Sequence, residues 1–191
     1  MDAKADPCAT SDDGTRAAAA VAHASHAWAG GAVAELIAAG HEDAFGLQPS
    51  EMLARACTSG QMELVVRMWD RVSKLDRAAA VAACSEALPE VAQRGKAEVL
   101  QRLVREWRVA LPKRGKGGAT PLQLAAHSGQ TECVKLLLEY RASPTAVGDP
   151  GGLTGMTPLE LAHKFNHKDV ALALESEMER RGKQKHKCIV A

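Results

Sequence analysis

Six residues recur almost unchanged in the C-terminal half of this chain, and the recurrence limits its fold more than any other feature. Thr120-Pro121-Leu122-Gln123-Leu124-Ala125 returns 37 residues later as Thr157-Pro158-Leu159-Glu160-Leu161-Ala162. A repeat of this length marks an array of small units rather than one closed core. Each block opens a helix for a physical reason. Thr accepts a hydrogen bond from a free first-turn N–H, and Pro at the first helical position needs no donor there. Gly129-Gln130 then breaks the chain before a second helix, Glu132 to Glu139, with apolar Cys133, Val134, Leu136, Leu137 and Leu138. The unit is two short antiparallel helices followed by a connector rich in Gly, Pro and Asp.

These residues resemble the ankyrin repeat, whose unit runs about 33 residues and opens T-P-L-H-x-A. The same frame carries backward. Leu53 to Val66 aligns with Leu122 to Lys135 at a shift of 69, and Gly95 to Leu100 aligns with Gly129 to Val134 at a shift of 34. A further unit pairs the helix around Arg16 to Ala27 with Val33 to Ala39, ending at Gly40. Inter-helix turns then fall near residues 28, 60, 95, 129 and 166. The resemblance implies an all-α solenoid of about five helix–loop–helix units with short β-turn fingers, spanning residues 16–176 behind a disordered leader, 1–15. For the N-terminal half, a bundle of unrelated helix pairs is the alternative.

Departures from the family pattern are specific. Thr-Pro is intact only in the last two units, neither with His after Leu. Arg55 and Glu90 stand where Leu124 leads one to expect an apolar side chain. Pro89 is tolerable only in the first turn of its helix. Gly148-Asp149-Pro150-Gly151-Gly152 lengthens the last finger.

Composition removes several functions. Aromatic residues are 3% of the chain and the formal net charge is +1. Few aromatics argue against stacking platforms for single-stranded nucleic acid, and near-neutrality removes the drive toward duplex phosphate. No run of eighteen apolar residues offers a membrane span. Five scattered cysteines without a C-x-x-C pair support neither a zinc ribbon nor a disulfide framework, so a reducing compartment is expected. The N-terminus has no secretory pattern, and Asp2, Asp6, Asp12 and Asp13 oppose a transit peptide.

The resemblance also implies a monomer with a concave face that binds a protein, and no cofactor. The frame exposes His26, Thr58, Ser59, Gln93, Arg94, His127, Ser128, Lys164 and Phe165 there. Lys113, Arg114 and Lys116 give one finger a basic edge. The bland reading is that all of these are solvated positions.

The chain ends Cys188-Ile189-Val190-Ala191, a C-a-a-X pattern whose final Ala points to farnesylation of Cys188 by a prenyltransferase. Chance occurrence at that one place is on the order of a few in ten thousand. Arg180, Arg181, Lys183, Lys185 and Lys187 precede it with no acid after Glu179. One lipid chain binds a membrane only marginally, while each Lys or Arg near an anionic leaflet adds about 1 kcal/mol. The two features together describe a polybasic tether, residues 177–191, broken from the repeats at Gly182, that would hold an adaptor at the cytoplasmic face of a membrane. Without lipidation the same solenoid reads as a soluble inhibitor or assembly chaperone.

Catalytic candidates are thin. His163 and His167 are four apart, but Lys164 stands where a zincin carries Glu, and the frame points the two rings differently. His23 and His26 have no acidic or Cys partner nearby. Neither a phosphate-binding G-x-x-x-x-G-K-[ST] loop nor a G-x-S-x-G elbow occurs. Cys57, Cys84 and Cys133 fall on helical segments and read as small buried hydrophobes. No catalytic or metal-binding residue is assigned.

Overall fold

The computed structural model describes residues 47–115, 117–148 and 155–189, with side chains described to residue 182. The leader, the unit expected over residues 16–40 and the middle of the last finger lie outside them. The described residues form four helix pairs and no strand. The first pair is α1 (Pro49–Ser59) and α2 (Met62–Leu75), and the second is α3 (Arg77–Gln93) and α4 (Ala97–Gln101). The third is α5 (Pro121–His127) and α6 (Thr131–Glu139), and the fourth is α7 (Pro158–Lys164) and α8 (Lys168–Ile189). Inner helices α1, α3, α5 and α7 stack in that order, as do outer helices α2, α4, α6 and α8.

One register explains the stack. Counting from the turn residues Gly60, Gly95, Gly129 and Asn166, the fourth residue before each is Ala56, Val91, Ala125 or Ala162, all fully buried. The fourth, fifth and eighth residues after each turn are Leu64, Val65 and Met68; Val99, Leu100 and Leu103; Cys133, Val134 and Leu137; Val170, Ala171 and Leu174. All twelve are buried, the most open being Ala171 at 5%. A unit this small buries its apolar stripe only against its neighbours, so the core is a continuous seam between the two helix layers.

The turns explain why the frame is legible. All four turn residues are left-handed, with φ of 83°, 71°, 70° and 59°. The next residue's N–H returns to the inner helix in three units, Lys96 to Val91 O, Gln130 to Ala125 O and His167 to Ala162 O, closing its C-terminus. That same residue covers the preceding turn. A methyl on Gly60 would lie 2.5 Å from Lys96 Cδ, one on Gly95 would strike the Gln130 amide, and one on Gly129 would lie 2.6 Å from His167 Nδ1. Conformation favours glycine at all three turns, and at Gly129 the His167 ring demands it as well. Among the described units none follows the fourth, and its turn carries Asn166, a residue that tolerates the left-handed region.

Where Thr-Pro is intact, the structure bears it out. Thr120 Oγ1 accepts from Gln123 N at 3.1 Å while Gln123 Oε1 accepts from Thr120 N at 2.8 Å. Thr157 and Glu160 repeat this reciprocal cap at 3.2 and 2.6 Å. Each cap contributes about 1 kcal/mol.

Three expectations are corrected, and the second outer helix carries a feature outside the frame. No finger separates the first two pairs: Asp76 alone joins α2 to α3, its Oδ1 accepting from Ala78 N and Ala79 N at 2.8 and 3.1 Å. The alanine-rich stretch behind that cap, with its high helix propensity, extends α3 forward in place of a connector. Pro89 is therefore well inside α3, not in its first turn, and its buried ring packs where the Gly115 backbone approaches. The second outer helix continues from α4 as a π-helical turn, Arg102–Glu106, closed by Trp107 N to Arg102 O at 3.1 Å. It absorbs one extra residue: Val109 N reaches Leu103 O, six back, whereas Ala142 N reaches the equivalent Leu137 O, five back. Trp107 thereby stacks flat on Trp69, centroids 4.2 Å apart. Finally, Gly182 is no break, because α8 runs through it to Ile189. One glycine costs a helix about 1 kcal/mol, which the flanking Arg, Lys and Gln tolerate.

Candidate protein-docking surface

The inner helices end one above another, and the two residues before each turn form the edge expected to meet a partner. Thr58 and Ser59 are half-buried there, their hydroxyls donating to Arg55 O and Ala56 O at 3.0 and 2.8 Å. Gln93 and Arg94 are exposed, and Glu90 holds the Arg94 guanidinium at 2.6 Å. In the last two units the structure brings two expected residues together. The His127 and Phe165 rings meet edge to face, centroids 4.4 Å apart, with Phe165 still 37% exposed. His167 Nε2 lies 3.0 Å from His127 O, tying the two turns. Ser128 is half-buried beside them, and Lys164 is exposed with its Nζ 3.9 Å from Met156 Sδ.

Two grooves cross the inner helices. Between α1 and α3 lies one of about 610 Å³, lined by Glu51, Arg55, Glu86, Glu90 and Arg94 over an alanine floor. The next, about 520 Å³, shares Glu86, Glu90 and Arg94 and reaches Leu124 on α5. This corrects the reading of Arg55 and Glu90 as polar intruders. Their position faces a groove, and Leu124 itself is only half-buried there. Glu51 and Glu86 were missed. Both stand nine residues before their turn, where the shorter inner helices carry the capping Thr.

Lys113 and Arg114 are not on that edge. They line a separate groove of about 600 Å³ with Arg141, at the opposite end of α5, beside Thr120 and Pro121. Arg181, expected among the tail's membrane-facing cations, turns back to the repeats. Its guanidinium donates to Leu138 O at the C-terminus of α6 at 2.9 Å, to Ala142 O in the segment after it at 3.0 Å and to Glu177 Oε1 at 2.7 Å. Arg180 also pairs with Glu177, at 2.6 Å. His26 and Lys116 lie outside the described residues, as do the side chains of Lys183, Lys185, Lys187 and Cys188.

The repeated pair, the left-handed turn and the stacked seam have a counterpart in a known family. The model for ankyrin repeats (3 copies) matches residues 22–147 and again 88–181. The chain belongs to the ankyrin-repeat family. The first match begins ahead of the described residues, within the stretch where the frame places an initial unit. Ankyrin repeats support a role in protein–protein interaction. Over 59 residues the chain is 42% identical to Ankyrin repeat and IBR domain-containing protein 1 of Mus musculus and of Homo sapiens. That stretch is 31% of this chain and 5% of the length of those relatives.

Cys57, Cys84 and Cys133 are buried, in keeping with their reading as small hydrophobes. The contact with Cys84, Sγ to Sγ 4.0 Å, and burial hold the Cys57 thiol well above its ordinary range. Burial, aided by Glu132, pushes Cys133 up to about 11. A thiol kept protonated is a poor nucleophile. His163 and His167 point apart as expected, one toward Glu175 at 3.5 Å and the other toward His127 O. No helix among the described residues is long and apolar enough to cross a membrane.

Proposed function

We propose that this ankyrin-repeat protein is an adaptor that binds a protein along its inner-helix face and is held at the cytoplasmic face of a membrane by prenylation of Cys188 and the basic residues before it. One observation carries the binding half: four units stack in a single register yet leave a row of grooves and turn residues open on the inner helices. Such a strip suits an extended partner surface, since solenoids bind through the face their inner elements line.

The membrane half is supported by the C-terminal sequence. Arg180 and Arg181 are both engaged with Glu177, so the three lysines are the cations left to the tail; at about 1 kcal/mol each they would add up to roughly 3 kcal/mol to a lipid anchor that is marginal alone. The helical last turn of α8 must unwind for a transferase to read Cys188, and terminal turns open with a free energy near zero.

Intact mass of protein made in a prenylating eukaryotic host tests this reading. A farnesylated, trimmed and methylated C-terminus is expected, with release of Cys188→Ser into the soluble fraction. An unmodified Ala191 terminus with unchanged fractionation would refute the membrane half and leave a soluble binding protein.

A further inference from the structure

Lys113 and Arg114 on one finger and the root of the tail are far apart in sequence, and the fold places them together. Lys113, Arg114 and Arg141 line one groove with Ala142, whose carbonyl accepts from Arg181 on α8 at 3.0 Å. Among the described residues no carboxylate lines that groove. Its apolar members include Val147, 44% exposed beside the cations. Glu177, the acid at the tail's root, is bound by both Arg180 and Arg181.

We infer that this finger edge is a lipid-facing surface that docks the solenoid on an anionic membrane, with Lys113, Arg114 and Arg141 meeting headgroups and Val147 entering the interface. The inference rests on the reading that the tail meets an anionic leaflet. Charge decides the occupant. Edge and tail carry the same sign and the edge adjoins the tail's root, so an extended anionic surface satisfies both at once, and linked contacts raise overall affinity without new ones. Basic residues around an exposed aliphatic side chain are also the pattern by which peripheral proteins combine electrostatic attraction with shallow apolar insertion. Docking there leaves the partner edge open. Thr120 and Pro121 at the groove and His127 and Ser128 at the turn are opposite ends of α5, about 10 Å apart at 1.5 Å per residue.

The test uses the full chain made without a prenyltransferase, sedimented with vesicles of phosphatidylcholine containing 30 mol% phosphatidylserine and with phosphatidylcholine alone. Binding to the anionic vesicles only, weakened by salt, is expected. Lys113→Gln/Arg141→Gln should lower the partition constant about 25-fold, about fivefold for each cation. Lys183→Gln/Lys185→Gln/Lys187→Gln should lower it independently, and the charge-conserving Lys113→Arg/Arg141→Lys should restore wild-type binding. All substituted side chains of the edge are exposed, so an unchanged melting curve is expected and checks the fold. If the edge variant binds like wild type while the tail variant does not, the edge faces something other than lipid and the tail reading stands. If the wild-type chain ignores phosphatidylserine, both readings fall.

Discussion

Replacing Gly129 by Ala tests the stacking mechanism at its narrowest point. The residue has φ of 70°, where a side chain costs about 1–2 kcal/mol. Its new methyl would also lie 2.6 Å from His167 Nδ1. That ring is pinned from its other nitrogen by His127 O at 3.0 Å, so yielding to the methyl sacrifices a hydrogen bond of about 1 kcal/mol. The sum is about 2–3 kcal/mol. For an array of this size, 1 kcal/mol shifts the melting midpoint by about 2–4 °C, so a fall of roughly 5–10 °C is expected by far-ultraviolet circular dichroism. Gly60→Ala is the control. It has the same conformation, φ 83°, but its methyl meets Lys96 Cδ on a flexible chain that can swing aside. Its loss should stay near the conformational share, about 1–2 kcal/mol. Asn166→Gly, where no described unit covers the turn, should change stability by less than about 1 kcal/mol. Hydrogen exchange should locate the Gly129→Ala damage in α7 and α8. Equal losses at Gly60 and Gly129 would refute the argument that the neighbouring ring, and not backbone conformation alone, demands glycine there.

Arg181→Ala should destabilise the junction of α6 and α8 by about 1–3 kcal/mol, since it strips two carbonyls and Glu177 of a charged donor; urea denaturation measures it. Glu177 supplies a pH signature. Hydrogen bonding from Arg180 and Arg181 holds its carboxyl down at about 2 against an ordinary 4.5. Its folded pKa is depressed, so its contribution is present above about pH 4.5 and lost as pH falls toward 2, and Glu177→Gln should flatten that part of the stability profile. Site-mapped thiol labelling should leave Cys57, Cys84 and Cys133 unmodified at pH 8 until urea unfolds the chain; rapid native labelling of Cys133 would contradict its burial and raised pKa.

Much of the architecture was legible because its signals are local. A Thr-Pro start, a glycine turn and an apolar triplet at fixed offsets each act within one unit, and all four turns among the described residues fall at 60, 95, 129 and 166 as the frame expects. Exceptions arose where tertiary packing overrode the pattern. Pro89 was legible as a helix opener only while Asp76 was unseen as a cap shared by α2 and α3. The extra residue in the second unit leaves no mark of its own, because a π-turn can take up any side chain that does not disturb Leu103 or Trp107. At the candidate site, Phe165 and His127 were foreseeable as turn residues, but their contact spans two units. Arg55 and Glu90 looked like faults in a core position because the frame ranks residues by order along a helix, whereas the groove is made by two neighbouring helices.

By itself, then, the sequence determined the unit, its period and the side of each helix that must be buried, since these depend on bonds and contacts a few residues long. Only the tertiary structure decided which side chain roofs each glycine turn, that Arg181 serves α6, and that the finger cations adjoin the tail's root. Those depend on how one unit is set against the next, a geometry carried by van der Waals contact between distant segments and encoded in no single stretch of chain.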